Sequence, residues 1–472
     1  MKQYMDAFKA YDIRWIYGKD IDTRFCYILG LWLGWYLCQQ HWKTASILIS
    51  SDTREFNKEL IEHFIAGLTN WWIEYIDIVD TYATSQYPYG ITSSSAWYYI
   101  GQWDRDMTTL FTASHNPAEY TWIKAFDRKA SLTPTDMLKE IFIDAYTQWW
   151  DKAIPGTKPY TQNKTKVAEK AWSYYDTIKE KRSQLKKNHK FVVDFCHGAA
   201  VAFEKWFYEE YGNNHLISMI NDYPDGTFPW HESDTSNPEN YEQLIQKVQE
   251  EQAEFWIMFD GDGDRMWIVS NTGEMIPWDI VYAIIAKQTL KNRDDKPTLL
   301  YDCMCSKIVG ETIEKNGWVG KINKVWRFFI NQEMQKIGAI AWWEVSGHYM
   351  FWEIGCVESI LMAQYYIMKE SESYNSFDAM IQEYKKYYKW PIGAIHVQDK
   401  EKVMAAIAEK YAQYNPVAID GISVYTDTYR FNIRPSNTEN KVRFTVEADD
   451  QKTREDTIES IKSIISSSDS WS

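Results

Sequence analysis

Phe255-Trp256-Ile257-Met258-Phe259-Asp260-Gly261-Asp262-Gly263-Asp264-Arg265 is the stretch that decides the fold. Five apolar residues in a row are the pattern of a strand buried on both faces. They run directly into three carboxylates spaced by glycine. Carboxylates this close repel one another unless a cation joins them. Oxygen ligands of this kind suit Mg²⁺ or Ca²⁺. The EF-hand template fails, because Arg265 stands where that loop needs glycine and Asn271 where it needs glutamate. An arginine inside the loop points to an anion that shares the site with the metal. A solvated acidic turn is the plainer alternative.

The same plan recurs on either side. Residues 46–50 run into Asp52-Thr53-Arg54, and residues 107–112 into Ser114-His115-Asn116-Pro117. Residues 298–301 run into Asp302, and residues 339–343 into Glu344-Val345-Ser346-Gly347-His348. Helical periodicity lies between them, at 58–72, 240–252 and 279–290. Strands alternating with helices predict parallel α/β sheets, whose ligands bind beyond the carboxyl ends of the strands. Linkers are expected at 151–164 and 370–376, with a further boundary just after Arg265. The last hundred residues read as a helix, a hairpin-like stretch over 419–448 and a closing helix, an α+β pattern.

A chain of 472 residues can bury three or four separate cores. Its net charge of −15 argues against a nucleic-acid or membrane-surface partner, so a phosphorylated ligand must be held by local cations. The apolar run 25–38 is too short to span a bilayer and reads as a buried helix. The charged first residues do not read as a signal peptide. The cysteines at 26, 38, 196, 303, 305 and 356 form no disulfide or zinc framework, which suits free thiols in the cytoplasm. No Walker loop, dinucleotide fingerprint, HExxH or Gly-x-Ser-x-Gly occurs, which weighs against nucleotide hydrolysis, hydride transfer and zinc proteolysis.

Three further motifs carry chemistry. Ser114 offers a hydroxyl in a tight loop stopped by Pro117, with Lys124 beyond. Alone it reads equally well as a helix cap. Beside an acidic metal loop, a phosphate on this serine would supply the missing anion. Glu344 and Ser346 pair a carboxylate with a hydroxyl, which suits neighbouring sugar hydroxyls, and His348 can move a proton or bind phosphate. A satisfied turn remains open there. Arg434, Ser436, Asn437 and Thr438, with Arg443 further on, gather the donors that a phosphate dianion needs. A polar hairpin turn is the alternative.

These motifs, in this order and across nearly the whole chain, resemble the α-D-phosphohexomutase superfamily, in its phosphomannomutase/phosphoglucomutase group. The opening Phe8-Lys-Ala-Tyr-Asp-Ile-Arg14, the loop 112–117, the segment 224–229 with 237–240, and the loops 260–265, 344–348 and 434–439 each look like a family motif. The resemblance implies three similar α/β domains with mixed or parallel sheets plus a C-terminal α+β domain around one cleft, divided at 1–152, 153–266, 267–372 and 373–472. It implies that Ser114 is a phosphoserine and that Mg²⁺ sits between Asp260, Asp262, Asp264 and the serine phosphate. Tyr11, Arg14, Lys124 and Arg265 then lie near the transferring group. Glu344, Ser346 and His348 face the sugar, with His348 the candidate acid/base. Arg434, Ser436, Asn437, Thr438 and Arg443 grip the phosphate that is not reacting. The implied reaction interconverts hexose 1-phosphate and hexose 6-phosphate, of mannose, glucose or both, through a hexose 1,6-bisphosphate. The implied protein is a cytoplasmic monomer or homodimer whose partners are sugar phosphates. Phosphoglucosamine mutase is an alternative, as is a phosphatase that loses phosphate from Ser114 to water.

The chain departs from the family in one direction. Trp15, Trp122, Trp256, Trp267, Trp326 and Trp343 stand where the resemblance implies glycine, Arg327 where it implies histidine and Met304 where it implies lysine. With 24 tryptophans and 21 glycines, the trend keeps a second reading open, a non-catalytic or engineered relative that binds Mg²⁺ or sugar phosphate without turnover. If these backbones need positive φ, each costs roughly 1–3 kcal/mol. If they do not, Trp122 and Trp343 are expected to turn out of their loops.

Overall fold

The computed structural model describes residues 2–5, 7–8, 13–41, 45–79, 82–101, 105–127, 135–211, 216–234, 242–291, 293, 295, 297–325, 327–344, 347–436 and 439–469. The chain forms two compact units, Met1–Met275 with His348–Met368, and Ile276–Gly347 with Lys369–Ser472.

The first unit holds two sheets. Strands β1 (Ile13–Ile16), β2 (Ser46–Ser51), β3 (Tyr75–Ile78), β4 (Met107–Thr112) and β5 (Tyr120–Asp127) lie in the order β1-β5-β4-β2-β3. β2 is parallel to β3 and β4, while β5 runs antiparallel to β4 and β1. The turn after β4 therefore carries Ser114, and the returning β5 brings Lys124 back opposite Leu110. The helix Thr23–His41 crosses Asn57–Asn70 and buries Phe25, Leu29 and Leu33, as the apolar run predicts. Each such side chain contributes about 2 kcal/mol when removed from water.

β6 (Lys190–Asp194), β7 (Leu216–Ile220), β8 (Phe255–Phe259) and β9 (Met266–Ser270) form the second sheet in the order β7-β6-β8-β9. β6 is parallel to β7 and β8, and all five residues of β8 are buried. The boundary expected just after Arg265 falls inside a hairpin: β9 pairs antiparallel with β8, Phe259 opposite Met266. An acidic loop that must sit at a strand end is here the turn between two strands of one sheet.

In the second unit, β10 (Thr298–Asp302), β11 (Val319–Asn323) and β12 (Ala341–Glu344) are parallel, with β10 in the middle. The chain returns to the first unit for the hairpin of β13 (His348–Phe351) and β14 (Val357–Glu358). The linker expected at 370–376 is partly helix, since Ile360–Ser371 extends into it. Glu370 is buried there, its carboxylate accepting from Lys287, Gln288, Tyr374 and Tyr384. β15 (Tyr388–His396), β16 (Ile422–Tyr425), β17 (Tyr429–Pro435) and β18 (Lys441–Ala448) then form an antiparallel sheet in the order β15-β18-β17-β16. The hairpin-like stretch thus becomes three strands, and the helices Lys400–Lys410 and Gln451–Asp469 cover their core. Asp399 caps the first of these, its side chain accepting from Lys402 N. No helix among the described residues is long and apolar enough to cross a membrane.

Candidate active site

The carboxyl ends of β4 and β8 carry the two loops that meet. Ser114 follows β4 in the left-handed conformation, φ 51°, which is uncommon for a residue with a side chain and concentrates at functional sites. Its amide donates to Thr112 Oγ1 at 2.9 Å, and its Oγ donates to Asp260 Oδ2 at 3.1 Å. Arg265 Nη2 donates to the same Oγ and to His115 Nδ1. Gly261 lets the loops close, because a Cβ there would fall inside contact distance of the Ser114 carbonyl oxygen. Gly263, at φ 67°, turns the chain between Asp262 and Asp264.

The three carboxylates are buried, and each offers an oxygen within 4.8 Å of the others. Their hydrogen bonds are one-sided. Asp262 Oδ2 accepts from Ser94 Oγ at 2.8 Å, Thr112 Oγ1 at 3.1 Å and Lys124 Nζ at 2.8 Å. Its Oδ1 is buried with no hydrogen-bond partner among the described residues, while Asp264 Oδ1 has the longer ion-pair contacts of His348 Nε2 at 3.5 Å and Arg265 Nε at 3.6 Å. Buried carboxylates with an oxygen so lightly held are the donor set that a hard cation fits.

Charge in this site is balanced at close range. Burial, reinforced by Asp264 and Asp262 and opposed by Arg265, pushes Asp260 up to about 7. Burial would also raise Asp264, but Lys124, His348 and Arg265 hold it well below the usual carboxylate range. Burial disfavours the Lys124 ammonium, yet Asp262, Tyr98 and Asp264 hold its pKa well above the ordinary value. Burial and the Arg265 charge push His115 well below its usual pKa, so its ring is neutral near pH 7. His348 Nε2 lies 3.5 Å from Asp264 Oδ1. Arg14 lies on β1, over the ring of Trp122.

Sequence reasoning assigned no role to the polar loop after β2. Asp52 Oδ2 accepts from Arg54 Nη1 and from Ala113 N, and Arg54 Nη2 donates to the Asn116 carbonyl at 2.6 Å. Asn57 ties Asp52 Oδ1 to the Phe111 carbonyl. This buried strut holds both ends of the serine loop. The strand-to-Asp-Thr-Arg transition was its only local signal, because the Asn116 carbonyl that accepts from Arg54 lies 62 residues on.

In the second unit, Arg434 and Arg443 stand directly opposite each other on β17 and β18. Like charges in that register are unfavourable unless an anion joins them. Their Nε atoms are buried without hydrogen-bond partners among the described residues. Ser436 N donates to the Lys441 carbonyl, closing the turn. Glu344 ends β12. The side chain of Glu344 and the residues Tyr11, Ser346, Asn437 and Thr438 lie outside the described residues. Met304, where lysine was expected, is buried, and Lys389 Nζ donates to its carbonyl at 2.7 Å.

The tryptophans correct the expectation that Trp122 and Trp343 turn out of their loops. Trp122, Trp256, Trp267 and Trp343 lie within β5, β8, β9 and β12, and none has positive φ. All four are buried rather than turned outward. Trp326 and the side chains of Trp15 and Arg327 lie outside the described residues.

A serine hydroxyl gripped by a guanidinium beside three buried carboxylates, on an α/β scaffold, suits metal-assisted phosphoryl transfer through the serine. Family models for phosphoglucomutase/phosphomannomutase match along the chain: alpha/beta/alpha domain I at 5–148, domain II at 172–273, domain III at 277–387 and the C-terminal domain at 394–463. The phosphomannomutase of Methanocaldococcus jannaschii is 37% identical over 98% of both chains. The phosphomannomutase/phosphoglucomutase of Pseudomonas putida is 27% identical over 94% of this chain and 91% of its own. A phosphoglucomutase/phosphomannomutase family protein from Burkholderia thailandensis superposes with a TM-score of 0.83 at 22% identity, covering 98% of each chain. The chain belongs to the phosphoglucomutase/phosphomannomutase family.

Proposed function

We propose that this enzyme interconverts the 1- and 6-phosphates of mannose, glucose or both, with Ser114 as phosphoryl carrier and a hexose 1,6-bisphosphate as intermediate. The observation that carries this reading is the placement of Ser114 Oγ between Asp260 and Arg265. In this reading the chain has four domains that follow the family matches, with breaks between 148 and 172, between 273 and 277 and between 387 and 394.

Mg²⁺, held by Asp260, Asp262, Asp264 and an oxygen of the serine phosphate, would neutralise charge on the transferring group. The chain's own residues do the remainder. Arg265, Lys124 and Arg14 stabilise negative charge as the Ser114 Oγ–P bond breaks and a bond from phosphorus to the sugar hydroxyl forms. His348, beside Asp264, takes the hydroxyl proton. Glu344 and Ser346 hold other sugar hydroxyls. Arg434, Ser436, Asn437, Thr438 and Arg443 hold the phosphate that is not reacting. The bisphosphate then reverses its ends, its second phosphate returns to Ser114, and the isomeric monophosphate leaves.

Intact mass spectrometry tests the carrier. After incubation with a hexose 1,6-bisphosphate, the protein gains one phosphate, and Ser114→Ala gains none. A wild-type chain that accepts no phosphate, or a Ser114→Ala chain that does, overturns the assignment. Coupled assays with mannose, glucose and glucosamine phosphates rank the substrates.

A further inference from the structure

A second cluster of metal-ligating side chains lies outside the phosphoryl-transfer site, made of Asp194, Cys196 and His231. Asp194 ends β6 and is fully buried. Cys196 and His197 both have φ 54°, so two successive left-handed residues curl the chain and fold the Cys196 thiol back beside Asp194. His231 reaches in from a separate loop, its side chain 7% exposed.

The orientation of each group is already set. Asp194 Oδ1 accepts from Cys196 N at 2.8 Å and Asn221 Nδ2 at 3.0 Å, which leaves Oδ2 facing His231 Nε2 at 3.0 Å. His231 Nδ1 lies 2.9 Å from the Glu232 carbonyl oxygen and donates to it. The ring is therefore fixed with Nε2 turned toward Asp194, and Cys196 Sγ lies beside the ring, 3.5 Å from Nδ1 and 4.0 Å from Nε2. Around Zn²⁺, bonds of about 2.3 Å to sulfur and about 2.0–2.1 Å to nitrogen and oxygen give tetrahedral edges of roughly 3.3–3.6 Å. The Oδ2–Nε2 separation is shorter than such an edge and the Sγ–Nε2 separation longer, so a bound cation would shift these side chains by a few tenths of an ångström. Asn221 and the Glu232 carbonyl are the outer partners that metal-binding carboxylates and imidazoles normally have.

We propose that Asp194 Oδ2, Cys196 Sγ and His231 Nε2 bind one thiophilic divalent cation of the Zn²⁺ class, with water as fourth ligand. Binding as thiolate replaces the Cys196 S–H bond with a bond to the metal and releases that proton, with no redox change. The braced segments touch both catalytic loops. Ala199 N donates to the Gly261 carbonyl at 2.8 Å, and Ser233 Oγ to the Ser114 carbonyl at 3.4 Å. A cation here would stiffen the backbone behind the Asp260–Asp264 loop without joining it.

The test uses the full chain, stripped by chelator and then given excess Mg²⁺ to fill the oxygen-only site. Co²⁺ is the probe. One equivalent should bind with a thiolate-to-cobalt charge-transfer band. Cys196→Ser should abolish the band and Cys303→Ser should leave it intact. Asn221→Gly, which keeps the left-handed backbone, should weaken binding about tenfold or more. Absence of a thiolate band in the wild-type chain, or a band that survives Cys196→Ser, overturns the proposal. If Cys196→Ser does not fold, unchanged affinity in both Asn221→Gly and His231→Gln overturns it instead.

Discussion

The guanidinium of Arg14 lies over the ring of Trp122, its Cζ 4.8 Å from the ring centroid. The two residues are direct partners across β1 and β5. The His115 ring stands edge-on to the same indole at 6.3 Å. Trp122 is therefore a wall that positions Arg14 and His115 rather than a plug in the serine loop. Trp343 is fully buried and stacks on Tyr282.

Restoring glycine should consequently harm the protein. Trp122→Gly and Trp343→Gly should each cost about 3–5 kcal/mol, the range for emptying a buried aromatic site. Trp122→Gly should also lower kcat/KM, because Arg14 loses its platform. Denaturant titration and a coupled assay check both. A tenfold rise in kcat/KM for Trp122→Gly would identify the indole as an obstruction after all.

Metal affinity should depend on pH through Asp260. Its carboxyl, pushed up to about 7 in the metal-free protein, must lose its proton to bind a cation. Mg²⁺ affinity should be flat above about pH 8 and fall toward tenfold per unit below about pH 6. Isothermal titration across that range measures it. Asp260→Asn should bind weakly at every pH, with no such slope.

Arg54→Met tests the strut beneath the serine loop. It leaves Asp52 buried without its cation and the Asn116 carbonyl without its donor. Breaking a buried pair in this way costs about 3–5 kcal/mol. The loop it frees should lower kcat more than it changes KM. Equal stability of Arg54→Met and the wild-type chain in urea would refute the role.

Glu204 makes stability depend on pH. Its Oε1 accepts from Ser93 Oγ at 2.6 Å, while Oε2 is buried with no hydrogen-bond partner among the described residues. Burial pushes its pKa up to about 8 against the pull of Ser93. A carboxyl raised on folding contributes stability that is complete below its unfolded value near 4.5 and is lost as pH rises through the folded one. Tm of the metal-free protein should fall between about pH 5 and about pH 8. Glu204→Gln should flatten that fall, and parallel curves for the two proteins would contradict the assignment.

The sequence by itself determined the parts of this protein whose cause is local. An apolar run followed by polar chemistry marks where a buried strand ends, so the ends of β2, β4, β8 and β10 were legible. Asp260, Asp262 and Asp264 sit within five residues of one another, so their common ligand could be read from spacing alone. Only the tertiary structure decided what depends on register between distant strands. It set Lys124 against Asp262, Arg54 against Asn116, and Cys196 beside His231. It returned the chain after Arg265 to the same sheet and turned the indoles of Trp122 and Trp343, expected to face outward, into the interior. The period of a strand states which face a residue takes, while the partner across that face comes from how sheets pair and close.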